Sequence, residues 1–215
     1  VFLQGCNLRC GCCHNPDTWD MTGGETCSAR EIVDKALNCR EYFGEKGGIT
    51  ISGGEPLLQA DFVYETFKLC HKKEINTCLD TSGSILNESV KRLLSETDRV
   101  LLDIKYTKDC HYREYVGCSM DKPLDFLEYL DEQKIPTTLR QVIIPTLNDD
   151  EENILNLFKI RLQNHGYNVL TAKDGDSTLV EIKLSVPTPQ IASSICDNWN
   201  KKNQEVYQTL TKMLF

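Results

Sequence analysis

Nothing in the 215 residues approaches the roughly 18 consecutive apolar residues that a membrane-spanning helix needs. The chain also has no excess of positive charge. Its 24 Lys+Arg stand against 32 Asp+Glu, a net charge of -8, which argues against a general nucleic-acid binder. It has no internal repeat, no low-complexity tract, no recognisable signal peptide and no C-terminal lipidation signal. Disordered, collagenous and coiled-coil chains are excluded by a composition that is 40% hydrophobic and 26% charged. An initiator methionine is missing too. Val1-Phe2-Leu3 reads as a buried internal strand, so a preceding segment is expected.

Cysteine, in contrast, is abundant: eleven residues, an odd number, in a chain too large to need stapling. This pattern favours a reducing, cytoplasmic setting with thiolates kept for metal or catalysis. Cys6, Cys10 and Cys13 form C-x3-C-x2-C within eight residues. Three thiolates on one loop suit a [4Fe–4S] cluster with one iron left open to a substrate. Structural zinc wants four ligands, usually two C-x2-C knuckles, and only Cys10 and Cys13 make one. Cys12 can compete as a ligand, but adjacent side chains in an extended loop point apart.

Short apolar strands alternate with amphipathic helices as far as about residue 160, which predicts an α/β fold with a parallel sheet, doubly wound or barrel. Ser28 and Glu31 mark a capping box for a helix through about residue 43. Further helices are expected at about 61–73, from about 87, at 124–133 and at 150–162. Strands are expected at 1–3, 49–52, 77–80, 100–104 and 138–144. Gly53-Gly54-Glu55, Asp80-Thr81, Asp103 with Lys105, and the cysteine loop all fall at carboxyl ends of strands, where such folds place their sites. Beyond residue 160 the rhythm breaks. Strands at about 166–172 and 178–184 and polar helices over 190–214 are expected there.

The cysteine loop, the run Phe2-Leu3-Gln4-Gly5-Cys6 to His14-Asn15-Pro16-Asp17-Thr18-Trp19, Ser52-Gly53-Gly54-Glu55-Pro56, Leu79-Asp80-Thr81-Ser82-Gly83, Asp103-Ile104-Lys105 and Leu139-Arg140-Gln141 follow one another in the order and spacing of a known family. The chain resembles radical S-adenosylmethionine (SAM) enzymes, and among them the activating enzymes of glycyl radical enzymes. The resemblance covers roughly residues 1–158 and implies a partial parallel (β/α) barrel without its N-terminal lead-in and final strand.

That resemblance implies a cluster on Cys6, Cys10 and Cys13, whose open iron binds SAM. The reaction implied is reductive cleavage to a 5′-deoxyadenosyl radical that takes hydrogen from a glycine of a partner such as pyruvate formate-lyase. Cys12, Gly53, Gly54, Glu55, Asp80, Thr81, Asp103, Lys105 and Arg140 would line the cofactor site. A monovalent cation is expected beside Asp80, Asp103 and Thr81. The expected partners are the glycyl radical enzyme and a one-electron donor such as flavodoxin or ferredoxin, with no nucleic acid and no membrane, and a monomeric chain.

Two departures stand out. Cys12 occupies a place where the family usually has an aromatic residue, and Thr146 follows Pro145 where glycine is common. Residues 159–215 are expected as a divergent tail, whose first part, 161–177, resembles the start of a receiver domain without its acidic pocket. Competing readings are an activase for anaerobic ribonucleotide reductase, a small-molecule radical SAM enzyme, a truncated or chimeric inactive fragment, and a zinc-binding interaction module.

Overall fold

A computed structural model of the chain describes residues 1–44 and 47–150. Beyond these it describes helical positions 153, 154, 156, 157 and 160 and strand positions 168–173 and 180–183. Two compact units divide the chain, Val1–Arg140 and Gln141–Phe215.

The first unit alternates strands and helices. In order they are β1 (Phe2–Leu3), α1 (Ala29–Asn38), β2 (Gly48–Gly53), α2 (Ala60–His71), β3 (Asn76–Thr81), α3 (Glu88–Leu94), β4 (Arg99–Asp103), α4 (Asp109–Tyr115), α5 (Asp121–Glu132) and the start of β5 (Thr137–Ile143). Strands β1 to β5 lie side by side in chain order and every neighbouring pair is parallel. Parallel neighbours require crossover connections, and the helices supply them. The expected α/β fold with a parallel sheet is therefore present.

Local sequence explains most boundaries. Ser28 accepts from Glu31 N (3.3 Å), and the Glu31 carboxylate accepts from Ser28 N (2.7 Å), so the capping box starts α1. The helix stops at Asn38, short of residue 43, and a 3-10 turn, Arg40–Tyr42, follows. Asn87 caps α3 by accepting from Val90 N (3.0 Å). In α2, Ala60, Val63, Phe67 and Cys70 repeat at helical spacing and form the buried stripe. Every second residue of β3 and β4 is buried, and Ile51, Leu79, Val100, Leu102 and Leu139 are fully buried core residues of β2 to β5.

Helix α4 is the element that periodicity misses. Lys108 gives its start no side-chain cap, and only Tyr112 of its seven residues is buried. Tertiary bonds hold it instead. The Tyr112 hydroxyl accepts from Lys105 N (2.8 Å), and Asp109 accepts from Met120 N (2.9 Å) and Arg113 Nε (2.6 Å).

In the second unit, β6 (Asn168–Lys173) and β7 (Val180–Lys183) form an antiparallel pair, close to the two expected strands. Thr146 has φ +67°, a left-handed conformation that a β-branched residue adopts only under strain. The expected helices at 190–214 and most of the receiver-like stretch lie outside the described residues, as do parts of the helix expected at 150–162.

Candidate functional site

The cysteine loop leaves β1 through Gly5, whose φ of +98° turns the chain. Backbone bonds fix the loop from several sides. Gly5 N donates to Thr18 O (2.8 Å), Arg9 N to Val116 O (3.2 Å), Gly11 N to Tyr115 O (2.8 Å) and Cys13 N to Cys10 O (3.1 Å). The Arg9 guanidinium donates back to Cys6 O (2.8 Å) and Leu8 O (2.7 Å) and lies over the Trp19 ring at 5.2 Å. Leu8, 4% exposed, anchors the loop in the core. Gln4 donates to Asp17 O (2.6 Å), and the Met21 sulfur packs against Gly5, so both segments are tied to the chain leaving β1.

Cys6, Cys10, Cys12 and Cys13 are half-buried free thiols. Burial pushes the Cys10 thiol up to about 12, against the opposing pull of Lys105. Burial likewise raises Cys6, and the neighbouring Cys13 adds to the effect. Among the described residues no three Cys, His, Asp or Glu side chains close on one point as a single-ion site would require. A cubane distributes its ligands over separate irons, so its thiolates stand further apart than those around one ion. The donor set of three neighbouring thiols on one short, braced loop fits such a cluster.

Beside this loop, the strand ends carry a charged network. Arg140 Nε donates to Asp103 Oδ1 (2.8 Å), and its terminal nitrogen donates to Asp80. Lys105 Nζ donates to Asp103 Oδ2 (2.6 Å), and Ser52 Oγ to Asp80 Oδ2 (2.9 Å). Strand register creates this meeting, because Asp103 sits opposite Arg140 across the β4–β5 pair. Burial opposes the charge on Asp103, but Lys105 and Arg140 outweigh it and hold this carboxyl below the usual range. Burial and the like charge of Asp103 push Asp80 the other way, upward. The Lys105 ammonium is held well above its ordinary value by Asp103 despite burial.

Glu55 is fully enclosed. Its Oε1 accepts from Leu57 N (3.1 Å) and Thr81 Oγ1 (2.6 Å), and its Oε2 accepts from Ser82 N (3.0 Å) and Ser82 Oγ. Burial raises its pKa against these donors. This carboxylate ties the end of β2 to the end of β3.

The structure thus brings the predicted residues to one rim: the cysteine loop, Gly53, Gly54, Glu55, Asp80, Thr81, Asp103, Lys105 and Arg140. For two of them it supplies a physical reason that the sequence did not. A Cβ on Gly53 would lie 2.2 Å from Leu3 N, and one on Gly54 would lie 2.0 Å from Gly5 O. What needs glycine here is close approach of β1 and the cysteine loop. Sequence reasoning missed Ser52, Ser82 and the aromatic wall of Tyr106, Tyr112 and Tyr115. Ser52 and Ser82 adjoin the glycine and Asp-Thr motifs and were open to the same strand-end argument. Nothing in local sequence marked the tyrosines.

The sequence profile of the Radical SAM superfamily matches residues 1–158. A second profile, Domain of unknown function (DUF4364), matches residues 113–214. The pyruvate formate-lyase-activating enzyme of Clostridium pasteurianum is 44% identical over 161 residues, 74% of this chain and 67% of that protein. The pyruvate formate-lyase 1-activating enzyme of Escherichia coli K12 is 38% identical over 156 residues, 71% of this chain and 63% of that protein. The chain thus spans about two thirds of the length of these curated relatives. Among solved structures, Streptococcus suis SuiB bound to S-adenosylmethionine matches 93% of this chain and 45% of its own at 16% identity and a TM-score of 0.66. A domain of the pyruvate-formate lyase-activating enzyme of Bacteroides vulgatus matches 70% of this chain and 91% of its own at 19% identity and a TM-score of 0.52. These likenesses show a common fold.

Proposed function

The chain belongs to the radical SAM superfamily, and from that membership we propose that it acts as a glycyl radical enzyme activase on a pyruvate formate-lyase-like partner. The observation that carries the proposal is the three-thiol loop set beside the Asp80–Arg140–Asp103–Lys105 network, in a chain 38% to 44% identical to curated pyruvate formate-lyase activases. A [4Fe–4S] cluster, when bound, supplies one electron to SAM, releasing methionine and a 5′-deoxyadenosyl radical that takes hydrogen from a partner glycine.

The chain's own residues have defined tasks. Cys6, Cys10 and Cys13 hold the cluster. Lys105 and Arg140 are the cations that meet a SAM carboxylate, and Asp80 and Asp103 orient them. Gly53 and Gly54 keep β2 tight against the cluster loop. Glu55 and Thr81 lock the rim from beneath. A monovalent cation beside Asp80 and Thr81 would share oxygens that already have partners: Asp80 accepts from Ser52 and Arg140, and Thr81 donates to Glu55 and accepts from Gly83 N. The setting proposed is cytoplasmic, as a monomer with a flavodoxin or ferredoxin as electron donor. Among the described residues no helix is long and apolar enough to cross a membrane.

Anaerobic reconstitution with iron and sulfide, reduction, and addition of SAM test the proposal. The expected products are 5′-deoxyadenosine and, with a glycyl radical enzyme present, its radical signal. A chain that takes up no iron–sulfur cluster refutes the family chemistry. Cleavage of SAM without a signal on any such partner refutes the activase reading alone.

A further inference from the structure

Arg9 stands between Cys6 and Cys10 in the loop and folds back on the first of them. One terminal nitrogen of its guanidinium donates to Cys6 O (2.8 Å) and to Leu8 O (2.7 Å). The Trp19 ring covers the guanidinium at 5.2 Å. Trp19 is itself fixed to the same cysteine, because its carbonyl accepts from Cys6 N (3.3 Å). The bond from Arg9 N to Val116 O (3.2 Å) holds the backbone from the other side.

The charge on Arg9 is unspent. Lys105 faces Asp103, Arg140 faces Asp80 and Asp103, and Arg113 faces Asp109, whereas among the described residues no carboxylate stands within ion-pair distance of Arg9. The residue is exposed, but the indole keeps water from one face of the guanidinium and the cation–π contact holds the charge where it is. Cys6 has a second donor beside it, since Leu8 N donates to its Sγ (3.4 Å). Hydrogen bonds to the sulfurs and the nearby charge are what set the potential of an iron–sulfur cluster. Uptake of one electron makes such a cluster more negative, so a fixed cation beside one ligand favours the reduced form.

We propose that Arg9, which ligates nothing, eases reduction of the cluster by holding an unneutralised positive charge against Cys6, with Trp19 as the clamp. The proposal rests on the cluster reading above and adds a residue to the electron-uptake step. The electron comes from the one-electron donor of the proposed function; no bond forms or breaks and no proton moves.

The test uses the full chain after anaerobic reconstitution, without SAM. Dye-mediated redox titration, read by the paramagnetic signal of the reduced cluster, gives the midpoint potential. Arg9→Gln removes the charge but keeps a side-chain donor for the two carbonyls. At a fixed potential the ratio of reduced to oxidised cluster should fall about threefold, a shift of about 30 mV to lower potential for one electron. Arg9→Met should match Arg9→Gln, and Arg9→Lys should keep the wild-type midpoint. The shift should shrink at about 1 M salt, because screening acts on charge and not on shape. Full iron with an unchanged midpoint in both neutral variants overturns the proposal. So does a shift in Arg9→Lys as large as that in Arg9→Gln. Loss of iron in both neutral variants makes Arg9 a folding clamp and overturns it as well. A wild-type chain that takes up no iron refutes the cluster reading itself, and this proposal with it.

Discussion

Replacing Gly54 by alanine perturbs the contact on which the site is built. The residue has no left-handed φ, so alanine brings no backbone strain of its own. The new Cβ would lie 2.0 Å from Gly5 O, where an ordinary contact begins at 3.4 Å. Gly5 must therefore recede by about 1.4 Å, and it is held by backbone on both sides. Two bonds stretch beyond use: Glu55 N to Gly5 O (2.8 Å) and Gly5 N to Thr18 O (2.8 Å). At about 1 kcal/mol each, more where a buried group is left without a partner, the loss is about 2–4 kcal/mol. Cys6 follows Gly5 in the chain, so iron binding should fall with stability. Urea unfolding of the cluster-free chain measures the first effect and iron content after reconstitution the second. Gly117→Ala is the control. Its φ is +87° but nothing lies within 4 Å of its Cβ, so it should cost only the left-handed conformation, about 1 kcal/mol, and no iron. A Gly54→Ala chain within about 0.5 kcal/mol of wild type, with full iron, would refute the reasoning.

Other perturbations read other parts of the molecule. Arg140→Met leaves Asp80 and Asp103 without their shared cation and should cost about 3 kcal/mol at neutral pH, as breaking a buried pair does. The penalty should shrink in acid. The raised pKa of Asp80 lets it take a proton first, whereas Asp103, held low, gives stability above its unfolded value of 3.8 that is lost as pH falls through its folded value. Urea midpoints across pH check both signs. Glu55→Gln places an amide donor against Thr81 or Ser82 donors and should cost about 2–3 kcal/mol in thermal or urea unfolding.

At the opposite ends of the strands, His71 faces Glu96 (2.9 Å) and Asp98 (3.1 Å) with its two ring nitrogens. Burial lowers its pKa, but the two carboxylates outweigh that and raise it above 6.5. Its stabilisation is complete below 6.5 and lost as pH rises through the folded value; His71→Gln should flatten that part of the pH–stability curve. Thr146→Gly relieves a left-handed β-branched residue and should stabilise the chain by about 1 kcal/mol, a gain visible as a higher urea midpoint.

Much of this molecule was legible in the chain itself. Period-two and helical apolar spacing revealed β2 to β5 and α1, α2, α3 and α5, because each element buries a regular stripe. The Ser28 box is local and survived into the structure unchanged, and the helix expected from about 87 starts there on an Asn87 cap. Cysteine spacing and glycine at strand ends pointed to the rim, since both are constraints on a few consecutive residues. Helix α4 was not legible, because its order comes from Tyr112 and Asp109 bonding to distant backbone.

The sequence alone determined which chemistry is available: three closely spaced thiols, paired carboxylates and two cations at strand ends. Tertiary structure decided how those groups are spent. Only register across β4 and β5 sets Arg140 between Asp103 and Asp80, and only the approach of β1 to β2 shows why Gly53 and Gly54 admit no side chain. These are contacts between residues tens of positions apart, and no local pattern encodes them, because what fixes them is the packing of one strand or loop on another.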